Sequence, residues 1–339
     1  MSTSVNNMIA WNNELLEPVI ITFNRAKNLA ATLNAFYNAG LSSMRLHVLN
    51  NASTDDTALV VKAMQSKWKN LIYHENAFNI GGNANILRSV EFSDSTYHWA
   101  IGDDDEWLLK PELLAELMQV MQKGDANVIR LGWLVSSASR AKTLTGLQLA
   151  KSENLFFASV SMISATIVKR DIVTHYLPLA YQNIADSYPQ LVPMICGTED
   201  TLLNVYTLSQ NLMIHTPSTT PGYFSGDLEW YAGWFRTSRF LKNVALKKSF
   251  INEVTLYMCR DKPGSIRQFA SLVKVLLYYK SFNLSQTSYL FSMFAYGQGW
   301  RLRIALLIVV NAIFPVKFLS FLRKLYLPKK IINVDRARL

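Results

Sequence analysis

The segment Tyr97-His98-Trp99-Ala100-Ile101-Gly102-Asp103-Asp104-Asp105 joins an apolar run to three adjacent carboxylates. Its first five residues read as a buried strand. Three neighbouring carboxylates repel one another unless positive charge sits among them, and a hard divalent cation is the natural partner. In extended backbone Asp103 and Asp105 face one way and Asp104 the other, so the first pair can serve a metal and its ligand. Open α/β sheets bind ligands at the C-terminal ends of their strands, which is where this cluster falls. Taken alone, the triplet reads equally well as a solvated acidic turn before a helix.

Working back toward the N-terminus, short apolar runs alternate with helical patterns, as a mostly parallel sheet flanked by helices requires. Val19–Phe23 predicts a first strand. A helix follows over Arg25–Ala39, with Leu29, Leu33 and Phe36 on one face and Gly40 at its C′ position. Arg45–Leu49 is a second strand, Asn50–Thr57 a polar loop, and Asp55 or Asp56 can cap the helix Thr57–Lys67. Leu71–His74 returns as a third strand, and a Gly-Gly turn at Asn79–Asn83 leads into the helix Ala84–Phe92.

On the C-terminal side, Pro111–Lys123 reads as an amphipathic helix closed by Gly124, and Asn127–Leu134 as another strand. Ala158–Lys169 reads as a strand or strand-to-helix transition, Tyr188–Leu208 as mainly helix, and Leu212–His215 as a short strand before the Gly/Pro/Ser-rich segment 216–226. The net charge of +10 is unevenly spread. Residues 1–236 carry a balance of −5, whereas residues 237–339 carry 18 Lys/Arg against Glu253, Asp261 and Asp335. Within this basic part, residues 304–322 approach transmembrane length but are interrupted by Asn311, Pro315 and Lys317. Helices lying in the membrane plane against anionic headgroups fit this pattern better than a span.

Four segments in order, Val19-Ile20-Ile21-Thr22-Phe23-Asn24-Arg25, Asn50-Asn51-Ala52-Ser53-Thr54-Asp55-Asp56-Thr57, Asn79-Ile80-Gly81-Gly82-Asn83 and Ile101-Gly102-Asp103-Asp104-Asp105, together resemble the family 2 GT-A glycosyltransferases. The resemblance covers residues 18–125. It implies a GT-A, Rossmann-like α/β domain over residues 1–236, with a nucleotide-sugar-binding half (18–125) and an acceptor half (126–236), before a basic helical region (237–339). It further implies that Thr22, Asn24, Arg25 and Asn50 line the nucleoside pocket, with Asp103 near the ribose, Asp104 beside it and Asn83 as a weaker donor-side contact. Asp105, with Asp103, would hold Mn²⁺ or Mg²⁺ on the donor diphosphate. Asn50 departs from the aspartate usual in that family, so it either reads the base with its amide or only closes the loop.

An inverting transfer needs a carboxylate general base in the acceptor half. Gly197-Thr198-Glu199-Asp200 resembles the family's Glu-Asp motif, which puts Asp200 first and Glu199 second, ahead of Asp186 and Asp227. Basicity confined to helices rich in Phe, Trp, Leu and Tyr points to a membrane surface and away from nucleic acid. The five histidines, His47, His74, His98, His175 and His215, lack paired metal-ligand spacing and read as strand or surface residues. Cys196 and Cys259 read as core residues of a reducing compartment, and no secretory signal opens the chain.

The expected protein is thus a membrane-peripheral glycosyltransferase. It would act at the cytoplasmic face of the inner membrane, from a nucleotide-diphospho-sugar donor to a lipid-linked glycan of the O-antigen or capsule kind. Its form is similar to the abequosyltransferase-type enzymes. A sugar-1-phosphate nucleotidyltransferase would show a glycine-rich, arginine-containing loop after the first strand, and Thr22-Phe23-Asn24-Arg25 is not one. A non-catalytic membrane scaffold with a degenerate site is the remaining alternative.

Overall fold

Parallel pairing of four short strands builds the edge on which the acidic cluster sits. The computed structural model describes residues 11–186, 188–215, 227–259, 273, 276–277, 280, 287–297 and 300–326. Strands β1 (Val19–Thr22), β2 (Leu46–Asn50), β3 (Leu71–Glu75) and β5 (Ala100–Gly102) form a parallel sheet in the order β3-β2-β1-β5. Helices α1 (Ala26–Asn38) and α2 (Thr57–Gln65) return the chain between them. Gly40 at φ 81° and Gly124 at φ 70° end α1 and α4 (Pro111–Lys123) in the left-handed conformation that glycine adopts without a Cβ clash.

A second, mixed sheet carries β4 (Tyr97–His98), β7 (Val128–Arg130), β8 (Lys142–Thr145), β9 (Thr166–Lys169) and β10 (Asn204–Thr207), in the order β4-β9-β7-β10-β8. Two-residue strands β6 (Glu106–Trp107) and β11 (Met213–Ile214) pair antiparallel beside it. Helices α3 (Gly82–Arg88), α5 (Gly146–Ser152), α6 (Phe156–Ser161), α7 (Arg170–Gln182) and α8 (Val192–Glu199) complete this unit, which comprises residues up to Ala185 and Pro189–Thr216.

Three local expectations differ from the structure. The strand expected over Tyr97–Ile101 divides at Trp99, whose indole donates to the Ser164 carbonyl at 3.0 Å; β4 joins the second sheet and β5 the first. The helix expected through Leu208 stops at Glu199. Thr201 at φ 57° reverses the chain, and β10 then inserts between β7 and β8. The segment Ala158–Lys169 resolves into the end of α6, a turn of 3-10 helix at Ile163–Ala165 and β9. The Gly/Pro/Ser-rich segment 216–226 lies outside the described residues.

Core packing joins the first sheet to α1, α2 and α4 through Leu29, Leu33, Phe36, Val61, Leu113 and Leu117. Phe36, Trp99 and Trp107 form an aromatic cluster, with the Phe36–Trp107 rings edge-on at 5.0 Å. His98 is buried on β4. Ser89 Oγ donates to the Ile86 carbonyl at 2.6 Å, so the 3.1 Å contact between His98 Nε2 and Ser89 Oγ has the imidazole as donor. Nδ1 is then the bare nitrogen, and it has no partner.

Burial, helped by the Arg170 charge, pushes the His98 pKa down to about 4. The unfolded chain therefore takes up this proton first as pH falls, so the stability contribution is complete above about 6.5 and is lost toward pH 4. Between pH 7 and 4.5 stability is expected to drop by about 2–3 kcal/mol from this residue. Urea unfolding of His98→Phe should show that limb flattened. An unchanged slope in the variant would assign the loss elsewhere, for instance to His47, whose pKa burial also lowers.

A second unit holds Asp186–Tyr188 and the chain from Pro217 onward. Its described helices are Asp227–Thr237, Val244–Cys259, Thr287–Tyr296, Arg301–Ile313 and Val316–Tyr326. Trp234 stacks on Phe250 with ring centroids 4.6 Å apart, and its indole donates to the Phe250 carbonyl. The Thr287–Tyr296 helix packs against both Asp227–Thr237 and Arg301–Ile313.

Candidate active site

Strand register brings the sequence-predicted residues together. Thr22 lies beside Asn50 in the β1–β2 pair, and Ile21 beside Gly102 in the β1–β5 pair, so Thr22 and Asp103 are adjacent at the C-terminal edge. Thr22 Oγ1 donates to Asp103 Oδ2 at 2.6 Å, and Thr32 Oγ1 to the Asp103 carbonyl at 3.1 Å. Arg25 Nη1 reaches Asp103 Oδ1 at 3.1 Å and Asp104 Oδ2 at 2.6 Å. One guanidinium therefore bridges two of the three carboxylates. Burial pushes the Asp103 carboxyl up to about 6, against the Thr22 hydrogen bond and the Arg25 charge.

Asp105 is held differently. Its side chain is 1% exposed and its Oδ1 lies 3.0 Å from His215 Nδ1. Its Oδ2 is buried with no hydrogen-bond partner. The pairing of β11 with β6 explains why His215 is here: Met213 faces Trp107 and Ile214 faces Glu106, so the next step of the antiparallel register sets His215 against Asp105. Trp133 meets the His215 ring edge-on at 5.8 Å. The sequence reads His215 as a strand or surface residue without metal-ligand spacing, because its partner strand lies more than a hundred residues away.

A buried carboxylate oxygen without a donor is costly unless a cation or proton completes it. Asp105 and His215 supply one carboxylate and one imidazole, a donor set that suits Mn²⁺ and, less well, Mg²⁺. Among the described residues no group of three or more His, Cys, Asp or Glu side chains forms a metal cage by itself. Such a pair fits a cation whose remaining ligands are substrate phosphates and water.

Asn24 and Asn50 tie the two loops beneath the edge. Asn24, at φ 52°, accepts from Thr54 N at 2.7 Å, and its own N–H donates to Ser53 Oγ at 2.8 Å. Asn50 Oδ1 accepts from Ser53 N at 3.0 Å and Ser53 Oγ at 2.6 Å, while Nδ2 donates to the Tyr73 hydroxyl at 2.8 Å. These bonds hold the loop closed, and the Asn50 side chain is itself buried. Asp55 ties the same loop to α1 by accepting from Ala26 N at 2.9 Å.

A ladder of amides, buried at Asn51, Asn76 and Asn85, carries the loop on to the glycine turn: Asn51 Nδ2 to Asn79 Oδ1, Asn76 Nδ2 to Asn51 Oδ1 and to Asn85 Oδ1, each 2.8 Å. Asn83 Nδ2 donates to the Ile184 carbonyl at 3.0 Å. A side chain at Gly81 or Gly82 would meet nothing within 4 Å, and Gly81 has φ 86°, so this turn borders open space.

The base candidates are dispersed. Asp200 caps the C-terminus of α8, is exposed, and accepts from the Tyr176 hydroxyl of α7 at 2.6 Å. Burial, and Asp200 beside it, push the Tyr176 phenol upward. Glu199 is half-buried next to it. Neither takes part in the hydrogen bonds that join Thr22, Arg25, Asp103 and Asp104. In the second unit, Asp186 accepts from Arg236 Nε and, at 3.0 Å, from Arg239 Nη1. Guanidinium groups on both oxygens ill suit a general base. Asp227 begins the Asp227–Thr237 helix, and its side chain lies outside the described residues.

A parallel sheet whose C-terminal edge gathers carboxylates, an arginine and a polar loop is the architecture of GT-A glycosyltransferases. Residues 19–166 match the Glycosyl transferase family 2 model. A curated relative, the GalNAc(5)-diNAcBac-PP-undecaprenol beta-1,3-glucosyltransferase of Campylobacter jejuni, is 26% identical over 141 residues, which span 41% of this chain and 45% of the relative. Among solved structures, the mannosyltransferase PcManGT from Pyrobaculum calidifontis superposes with a TM-score of 0.53 at 11% identity, covering 94% of this chain and 88% of that one. S. aureus TarS (residues 1–349) gives a TM-score of 0.53 at 13% identity, covering 94% and 95%. These likenesses establish the GT-A fold.

Proposed function

We propose that the protein transfers a sugar from a nucleotide-diphospho-sugar to a lipid-linked glycan acceptor during assembly of a surface polysaccharide such as an O-antigen or capsule, with inversion. The observation that carries this reading is the edge at Thr22, Arg25, Asp103 and Asp104, with the unpartnered Asp105 oxygen beside it. The acceptor class is supported by the printed name of the Campylobacter relative, whose substrate is undecaprenol-linked, and the donor class by the TarS structure solved with UDP-GlcNAc and the PcManGT structure solved with GDP-Man and Mn²⁺.

In this reading Asp105 and His215 hold Mn²⁺ or Mg²⁺, with Asp103 close by on the donor side. Bound there, the cation offsets negative charge on the departing nucleoside diphosphate. Arg25 offsets part of the repulsion between Asp103 and Asp104 and fixes their direction. Asn50, Asn24 and Asn83 shape the loop and turn around the donor. The cytoplasmic face of the inner membrane is the expected location, because a lipid-linked acceptor is presented there.

The test is a donor screen: purified protein with Mn²⁺ and a panel of nucleotide sugars, measuring slow hydrolytic release of nucleotide. Release from one donor, abolished by a chelator, is the expected result. Stable binding of every nucleotide without turnover would favour the non-catalytic scaffold.

Asp200 is the proposed general base, oriented by Tyr176. Asp200→Asn is expected to leave nucleotide affinity unchanged and to lower turnover by about 10²-fold or more. Wild-type rates in both Asp200→Asn and Glu199→Gln would move the base to another carboxylate.

A further inference from the structure

We infer that the Arg301–Ile313 helix and the start of Val316–Tyr326 form a membrane-docking face that lies in the plane of an anionic bilayer. The inference rests on the lipid-linked acceptor proposed above and specifies the surface that meets its membrane. Leu302, Leu306, Val309 and Ile313 are 77%, 48%, 51% and 64% exposed. Spaced four, three and four residues apart, they fall within about 60° of one another at 100° per residue.

Ile304 and Leu307, on the far side of the same helix, are buried, and that side packs against Thr287–Tyr296. The helix therefore has two apolar faces, and the inner one accounts for its packing within the unit. After the break at Phe314–Pro315, the next helix exposes Phe318 (47%) and Phe321 (58%), three residues apart, while Leu319 is buried.

Charge selects the occupant. Arg301 and Lys317 are exposed beside the stripe, and Arg303 flanks its other side with its guanidinium over the Trp300 ring at 4.8 Å. No acidic residue occurs between Asp261 and Asp335. An apolar stripe with cationic borders suits the headgroup–acyl boundary of anionic lipids, where such helices sink roughly 5–10 Å. A second copy of this surface would set like charges against like. No helix among the described residues is long and apolar enough to cross a membrane, in keeping with an in-plane contact.

The experiment is co-sedimentation of the full chain with vesicles of equimolar phosphatidylcholine and phosphatidylglycerol, and with phosphatidylcholine alone, at low and high salt. Wild type should bind the anionic vesicles preferentially and release with salt. Leu306→Glu/Val309→Glu should lower the partition coefficient at least about tenfold, with unchanged melting temperature and nucleotide affinity, since both side chains are exposed. Leu306→Ala/Val309→Ala should give an intermediate loss. Sedimentation velocity on the same samples separates the alternative: a wild-type oligomer that the glutamates dissociate, with vesicle binding unaltered, would make this a contact between copies and overturn the inference. So would failure of wild type to bind either vesicle. Nucleotide titration is independent of lipid, so loss of the docking face and failure of the glycosyl-transfer reading give different results.

Discussion

Replacing Asp105 with alanine is expected to abolish divalent-dependent nucleotide binding and to lower transfer by at least about 10²-fold. The reason lies in how the three carboxylates are partnered. Arg25 bridges Asp103 and Asp104, so their charges are partly offset within the protein. Asp105 meets only His215, which leaves a buried oxygen open to a cation. Its removal deletes one ligand without breaking the arginine bridge, and the fold should persist. Asp104→Asn should be milder, because it weakens the bridge but leaves Asp105 in place. His215→Ala should cost about 10–100-fold in metal affinity, the usual range for a partner that orients or supplements a ligand. Calorimetric titration of Mn²⁺ with nucleoside diphosphates reads all three. Full metal-dependent binding by Asp105→Ala would remove the cation from this position.

Much of the first parallel sheet is legible in the sequence because its signals are local. The apolar run before Asp103, the glycine after α1 and the proline opening α4 each fix an element within a few residues, and parallel register then aligns the strand ends. Thr22, Asn50 and Asp103 therefore lie together at one sheet edge. What stayed hidden depends on pairing between distant segments. His215 meets Asp105 only when β11 is laid against β6, and nothing in Leu212–His215 announces that partner. The strand at Asn204–Thr207 was masked by the helix before it. Its place is set by Gly197, where a Cβ would come within 2.7 Å of Leu203, and by the reversal at Thr201. Asn50 shows the converse: its departure from the family pattern was plain, but the closure it makes with Ser53 is a matter of geometry.

Glu153→Leu is expected to destabilise the protein by about 3–5 kcal/mol, because it strands a buried guanidinium. Arg130 ends β7 with no solvent exposure and forms a forked pair with Glu153, Nη1 to Oε2 at 2.6 Å and Nη2 to Oε1 at 3.1 Å. Its other donors are taken by Thr207 on β10, Ser159 on α6 and Ser139. The guanidinium thus bonds to four residues around the second sheet, Thr207 and Glu153 twice each, and Glu153 supplies the only opposite charge among these partners. With the carboxylate gone, five N–H groups must share three hydroxyls in a site that water does not reach. A loss of roughly 10 °C in melting temperature corresponds to that energy in a domain of about 200 residues. Arg130→Met should cost a similar amount by leaving Glu153 buried and unpaired. The double variant Arg130→Met/Glu153→Leu should regain about 1–3 kcal/mol over the sum of the two, since an apolar pair leaves no bare charge. Calorimetry of the four proteins measures the coupling. Additive losses in the double variant would mean that the pair is not a unit, and a Glu153→Leu melting temperature equal to wild type would mean that water, not the carboxylate, satisfies Arg130.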